Sequence, residues 1–215
     1  MPMYTYEHPR PALAVDIVVF TLRDWEPCVL LIERGEEPFR GKWALPGGFV
    51  HENETVEEAA NRELAEETGV RDARAVQCRI FSKPNRDPRG WVISLANFAC
   101  VRFEETVLQA GSDAARAEWF SVHQLPSLAF DHAEIIDACV LGLLSKSETD
   151  PIVAHMLPRE FTLAELQRAF EILKGEPMDK RNFRRTVEDR RWLTPVGRKA
   201  IGRHRPAELY RLNDK

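Results

Sequence analysis

A chain of 215 residues with 44% hydrophobic and 30% charged side chains has the composition of a folded globular protein, with material for one large domain or one ordinary domain plus a small one. No stretch approaches the ~20 apolar residues of a membrane span, and the polar first ten residues lack the apolar run of a signal peptide. The net charge of −4 hides a split: residues 1–150 carry 15 Lys and Arg against 25 Asp and Glu, residues 151–215 carry 15 against 9, which points the second part toward an anionic partner.

In chain order, residues 12–22 (ALAVDIVVFTL) and 28–33 (CVLLIE) are β-branched or aliphatic runs on either side of a turn at 24–27, and read as strands. Asp16 interrupts the first run. Residues 76–82 and 91–103 are further strands, divided by the Pro- and Arg-containing loop 83–90. A strong helix is predicted over 54–68: Thr55 with Glu58 three residues on makes a capping box, and Gly69 stands in the C-terminal stop position. A second helix is predicted over 131–144. Strands mixed with helices imply an α/β/α sandwich. The polar stretch 145–150 reads as a linker.

Beyond it, Thr162 and Glu165 form a second capping box for a helix over 161–173, in which Leu166, Phe170 and Leu173 recur at helical spacing. A helix over 179–190 places Phe183 and Val187 on one side and Arg181, Arg184 and Arg185 on the other. A strand-like pair, 192–195 and 207–212, flanks a basic hairpin at 197–206. Two short helices and a two-stranded wing describe a winged helix-turn-helix. The predicted division is therefore 1–147 for the sandwich and 148–215 for the linker and winged helix. The cysteines, Cys28, Cys78, Cys100 and Cys139, are scattered without metal-ligand spacing and read as reduced thiols of a cytoplasmic protein.

The chemistry concentrates between Gly48 and Val70. Five residues separate Gly48 from Glu54, seven more lead to Arg62-Glu63-Leu64, and the run ends Glu66-Glu67-Thr68-Gly69-Val70. On a helix Glu63, Glu66 and Glu67 stand at i, i+3 and i+4 and share one face. Clustered carboxylates repel, and Arg62, with Glu58 and Glu66 four residues away on either side, is placed to brace them. Hard oxygen ligands suit Mg²⁺ or Mn²⁺, which would polarise a phosphoryl oxygen and activate a water. Gly47-Gly48 lets the backbone approach the metal, so that Gly48 can offer a carbonyl.

In residues 178–206 ten Lys and Arg face three acidic residues. A recognition helix reads the major groove with side chains near its N-terminus, where Lys180, Arg181 and Asn182 stand, followed by Arg184 and Arg185. Arg198, Lys199, Arg203, His204 and Arg205 in the wing would contact phosphates and make binding salt-dependent.

The 48–70 pattern resembles the box of the Nudix hydrolases at every position. The resemblance implies a cleaving site in which Glu63, Glu66 and Glu67 hold catalytic metal and Arg62 orients them, with Glu63, Glu67 and Arg62 as the catalytic set. Together with the stretch Trp43-Ala-Leu-Pro-Gly-Gly-Phe-Val50, Arg34 and the two arginines Arg86 and Arg89, the site is similar to the branch that handles ADP-ribose, which implies ADP-ribose or a related nucleotide sugar as ligand. With FTLAELQ, DKRNFRR and HRPAELYR following the box, roughly residues 10–212 resemble the Nudix-related transcriptional regulators of the NrtR type. That implies a homodimeric, ADP-ribose-sensing repressor of NAD biosynthesis genes on double-stranded operator DNA. Many such regulators carry a degraded box, whereas this one is intact. A plain Mg²⁺-dependent pyrophosphohydrolase with a basic appendage is therefore the alternative, and Glu104, Glu105 and Glu118 are its candidate general bases.

Overall fold

The computed structural model describes residues 7–71, 73–108, 114–200 and 206–213. The strands are β1 (Ala12–Arg23), β2 (Glu26–Arg34), β3 (Trp43–Ala44), β4 (Gly47–Phe49), β5 (Val76–Phe81), β6 (Val92–Cys100), β7 (Ala114–Ser121), β8 (Phe161–Thr162), β9 (Leu193–Ala200) and β10 (Ala207–Leu212), and the helices are α1 (Val56–Thr68), α2 (His132–Ser147), α3 (Leu163–Lys174) and α4 (Lys180–Asp189). Short 3₁₀ turns at Phe103–Glu105 and Ile152–Met156 complete the described elements.

The first seven strands form one mixed sheet with the central order β3-β2-β1-β6-β5, to which β4 adds through β1 and β7 through β2. Strand β1 is the hub: antiparallel to β2 and β4, parallel to β6. Its two-residue alternation sorts the core. Val15, Ile17 and Val19 pack with Ala59, Ala60 and Leu64 of α1. Val18, Phe20 and Leu22 pack with Ile135, Ile136 and Cys139 of α2 on the opposite face. This is the expected α/β/α sandwich. Asp16, in register with Val18, therefore points to the α2 side of the sheet.

Both capping boxes form as the sequence predicts: Thr55 with Glu58, and Thr162 with Glu165. Gly69 and Gly175 close α1 and α3 in the left-handed region, with φ of 78° and 71°. Asp179 caps α4 through the Asn182 amide. The β1–β2 turn is a two-residue connection in which Asp24 and Trp25 both take positive φ. The second sheet runs β8-β10-β9, with α3 and α4 beside it, and makes the winged helix.

Two expectations change. The 145–150 stretch is no free linker: α2 continues to Ser147, and Ile152, Val153, Ala154 and Met156 directly after it are buried in the same apolar cluster as α2 and α3. In addition, β3, β4 and β7 are strands that the sequence pattern does not announce, and Phe161–Thr162, read as the start of a helix, is the short strand β8. Among the described residues, no helix is long and apolar enough to cross a membrane.

Candidate functional site

The carboxylate helix lies against β4. Gly47 donates its amide to Glu67 Oε2 at 2.8 Å, and a Cβ placed on Gly48 would sit 2.1 Å from Glu63 Oε1. Glycine at 48 is thus required so that the Glu63 carboxylate can lie on the strand backbone. Arg62 is the organiser. Its Nε and Nη2 donate to Glu54, its Nη1 to Glu63 and Glu66, and its Nη2 also to the Phe49 carbonyl. The Glu54 hydrogen bond lifts Arg62 above its ordinary range, and reciprocally Arg62 holds the Glu54 carboxyl down to about 2. The expected brace from Glu58 is absent, because its carboxylate is committed to the Thr55 amide as the helix cap.

Glu63 is nearly buried, at 12% side-chain exposure, whereas Glu66 is 62% exposed. Among the described residues no three His, Cys, Asp or Glu side chains converge at metal-ligand geometry. Glu63 leans on Arg62 and Gly48, and Glu67 on Gly47. The donors are nonetheless all hard oxygens around a backbone with no Cβ to obstruct it, which is the chemistry a divalent cation takes.

Behind β4 lies a cleft lined by Asp16, Arg34, Gly47, Phe49, Arg89 and Phe130, among others. Arg89 spans two aromatic faces, 4.9 Å from the Phe49 ring centroid and 5.5 Å from that of Phe130. Asp87 fixes it with a two-pronged hydrogen bond. Burial alone would raise Asp87, but the Arg89 hydrogen bonds outweigh it and its carboxyl ends below the usual value. Arg34 also covers Phe130, at 5.1 Å, and donates to the Pro38 carbonyl. Burial, with Arg89 nearby, pulls its guanidinium below its ordinary value. Such a pair of clamped guanidinium planes can bind phosphate oxygens and stack on a base.

Arg86 is different. Its side chain is 4% exposed, and the guanidinium is taken by Asp131, through two hydrogen bonds, and by Asp16. Although burial opposes the charge, these carboxylates outweigh it and Arg86 is held above its ordinary value. It lines the cleft floor, with its Nε and Nη2 committed to these carboxylates. Ser94 donates to the same Asp16. His132 Nδ1 accepts from the Leu45 amide at 2.8 Å, which leaves the proton on Nε2, facing Asp16 Oδ1 at 3.3 Å. Burial pushes His132 below its usual value, so the neutral ring is the folded form.

Trp43 does not reach the cleft. It packs edge-on against Phe120, with Arg116 over its other side, and its carbonyl accepts from the Ala129 amide next to Phe130. None of the three candidate bases lines the cleft either: Glu105 pairs with Arg159, Glu118 with Arg116, and Glu104 borders another depression. Sequence reading missed Phe130, Asp131 and His132, and reached Phe49 only as part of the stretch 43–50. Asp16 alone left a signal, as a charge inside a strand with no polar face.

On the winged helix, Phe183 and Val187 of α4 are buried, while Lys180, Arg181, Asn182, Arg184 and Arg185 are exposed. Arg184 is tied to Glu188 and Arg198 of the wing to Glu160, while Lys199 is exposed. Arg203, His204 and Arg205 lie outside the described residues.

The NUDIX domain family model matches residues 10–139, more than half of the chain. The chain belongs to the NUDIX domain family. Behind its NUDIX domain, residues 153–212 match the NrtR DNA-binding winged helix domain. The ADPR responsive transcriptional repressor NtrR of Acinetobacter baylyi is 32% identical over 96% of this chain and 84% of its own length. Shewanella oneidensis NrtR, in its crystal structure complexed with a 27mer DNA, superposes with a TM-score of 0.83 at 36% identity, covering 94% of this chain and 93% of that one. The NUDIX domain alone is 48% identical to the ADP-ribose pyrophosphatase of Methanocaldococcus jannaschii, over 59% of this chain and 72% of that protein. NUDIX hydrolases as a family use divalent metal, and the carboxylate oxygens of Glu63 and Glu67 beside Gly48 and Gly47 are donors of the kind such a cation takes.

Proposed function

We propose that the chain is an ADP-ribose-responsive repressor that binds operator DNA through its winged helix and is released, or reset, by ligand in the NUDIX cleft. The observation that carries this reading is the basic outer face of α4, built on the same chain as a clamped-arginine cleft and a carboxylate cage. The similarity to an ADPR responsive repressor over 96% of the chain supports it. Residues 1–147 form the sensing part and 148–215 the reading part.

In this reading Arg89 and Arg34 hold the diphosphate and Phe49 and Phe130 flank it, while Arg86 fixes the floor. Glu63, Glu66, Glu67 and the Gly48 carbonyl hold Mg²⁺ or Mn²⁺, and Arg62 keeps the carboxylates in place. The cation supplies charge neutralisation of the diphosphate. Lys180, Arg181, Asn182 and Arg185 enter the groove, Arg184 joins them by exchanging Glu188 for DNA, and Arg198, Lys199, Arg203, His204 and Arg205 meet phosphates. The protein works in the cytoplasm as a homodimer, because a two-fold operator is read by a two-fold protein. The open edge of the sheet at β5, with Ile80 55% and the neighbouring Trp91 54% exposed, favours pairing of copies.

The test selects bound sequences from a randomised duplex library, then measures a gel shift with and without saturating ADP-ribose. The expected result is a complex weakened by a coupling factor on the order of 5–150. No selected sequence, or a complex indifferent to ADP-ribose, refutes the reading.

A second reading, that the same site also cleaves ADP-ribose to AMP and ribose 5-phosphate, is favoured by Glu54, Glu63 and Glu66 gathered on Arg62 with Glu67 beside them on the Gly47 amide. Here Glu67, held on the Gly47 amide, would help to hold the cation, which when bound would supply an activated water. AMP release by the wild type with Mg²⁺, abolished in Glu67→Gln, supports it. No release from the wild type ends it.

A further inference from the structure

A second cavity, of about 410 Å³, lies where the sandwich meets the winged helix, and shares no lining residue with the NUDIX cleft. Its wall is unusually cationic. Arg71 and Arg74 come from the segment between α1 and β5, Arg102 from the end of β6, and His155 and Arg159 from the segment leading to β8. Among the described residues Glu105 is the only carboxylate in the lining. It is engaged by the Arg159 fork, at 2.7 and 3.2 Å, and lies 3.8 Å from Arg102. Arg74 reaches Asp150 only at 3.8 Å, and Lys146 shares that carboxylate. The C-terminus of α1 also borders the cavity, but a helix end carries only about half a negative charge. Among the described residues, positive charge is therefore in excess.

One donor makes the need explicit. Arg102 Nε is buried with no hydrogen-bond acceptor among the described residues. Buried donors nearly always have a partner, and an unmade bond to a charged group is costly. Several guanidinium forks around one concavity suit the tetrahedral, multiply charged oxygens of phosphate better than a single carboxylate. The volume is in the range of small-ligand sites. A concave hollow at a joint does not suit the convex backbone of a duplex.

We propose that this joint is a second ligand site, which takes a small phosphate-bearing anion between Arg102 and Arg74 on the sandwich side and Arg159 on the winged-helix side. The bound anion completes the hydrogen bonding of Arg102 and bridges the two parts of the chain. The site does not depend on ADP-ribose or DNA binding, so its test is separate from theirs.

The full chain is titrated with inorganic pyrophosphate, and separately with AMP, by calorimetry and thermal shift. EDTA is present throughout and ionic strength is held constant with NaCl. Saturable binding with a rise in Tm is expected for the wild type. Arg102→Gln is expected to weaken it at least tenfold. Arg159→Gln, at a side chain 78% exposed and therefore safe for folding, should do the same. Arg89→Gln, in the NUDIX cleft, should remove only pyrophosphate or AMP held in that cleft and leave the binding that depends on Arg102 and Arg159 in place. Tighter binding of AMP than of pyrophosphate assigns a nucleotide; the reverse assigns free phosphate. The proposal is overturned if NaCl alone reproduces the effect, or if binding survives Arg159→Gln but is lost in Arg89→Gln. It is equally overturned if Arg159→Gln lowers DNA affinity while the wild type binds neither anion.

Discussion

Two adjacent glycines give the sharpest test of how the cage is built. Alanine at 47 would put a Cβ 2.2 Å from the Val15 carbonyl oxygen and 3.0 Å from Asp16 Cα. Both are backbone atoms of β1, paired with β4 exactly here through Val15↔Gly48 and Asp16↔Gly47. The strand must separate, and overpacking of this kind costs about 1–3 kcal/mol or more. For a chain of this size that lowers Tm by roughly 2–4 °C per kcal/mol. At 48 the three atoms nearest an alanine Cβ all belong to Glu63, with Oε1 at 2.1 Å and Cδ at 2.5 Å. A side-chain end can swing away. The loss is the Arg62–Glu63 hydrogen bond, on the order of 1 kcal/mol net, partly offset by the ~0.4–1 kcal/mol gained when an unfolded chain loses a glycine. Gly48→Ala should therefore fold almost normally yet misplace one carboxylate, with Mn²⁺ affinity down roughly 10–100-fold, as when metal ligands lose their orientation. Thermal melts and Mn²⁺ calorimetry read the two effects separately. If Gly48→Ala binds Mn²⁺ within twofold of the wild type, Glu63 is not held against the metal as argued. If Gly47→Ala melts like the wild type, the close approach of β4 to β1 is wrong.

Other outcomes follow from the same geometry. Arg89→Ala removes the guanidinium clamped between Phe49 and Phe130; ADP-ribose affinity by calorimetry should fall about tenfold or more, a charge-assisted hydrogen bond being worth roughly 1.5–3 kcal/mol. Arg181→Ala and Arg185→Ala, both exposed on α4, should each weaken operator binding and lower the slope of log K against log salt by about 1; an unchanged slope removes that arginine from the interface. His132 is held below its ordinary 6.5 by burial, so the unfolded chain takes up a proton more readily than the folded one. Stability from the neutral ring is then complete above pH about 6.5 and is lost as pH falls toward the lower folded value. Urea midpoints at pH 7.5 and 5.5 should differ more for the wild type than for His132→Gln, and equal differences would exclude His132 as the cause.

Where local chemistry decides an element, the sequence announces it. The ends of α1 and α3 follow from Thr55 with Glu58, Thr162 with Glu165, and the glycines at 69 and 175. Strand β7, AARAEWFS, is a strand because β2 offers its whole length as partner, from Cys28↔Ser121 to Arg34↔Ala114. β4 holds two glycines and forms only against β1. Such pairing overrides propensity and leaves no trace in the segment itself. The same holds for the site. The carboxylate row was legible because Glu63, Glu66 and Glu67 sit on one helix at fixed spacing. Arg86, in a loop between prolines, reads as exposed; it is buried because Asp16 and Asp131 approach from 70 and 45 residues away. Glu58 reads as a brace for Arg62, but a cap three residues earlier has the stronger claim on it.

Composition and packing divide this chain differently. Charge changes sign near residue 150, yet the apolar cluster does not stop there. Ile135 and Leu143 of α2, Val153 and Met156 beyond it, Leu166 and Phe170 of α3, and Phe183 of α4 belong to one buried group. The floor of the cleft is fastened to the start of α2, through Asp131 and His132, and sixteen residues later the same helix ends against the segment that packs on α3. At 1.5 Å per residue that is roughly 24 Å of rigid rod. Further ties flank it: Trp25 at the β1–β2 turn lies under Arg168 of α3 at 4.1 Å, and Arg190 donates to the Glu148 carbonyl. A ligand moves an equilibrium only through contacts that differ between two states. A flexible tether would let the cleft change without the DNA-reading helix feeling it. A continuous packed core cannot deform smoothly, so a shift at one end is either resisted or passed on as a whole-body step. The buried turn Ile152–Met156, directly beyond the stretch that composition marks as a linker, is therefore the segment that makes sensing at a distance physically possible.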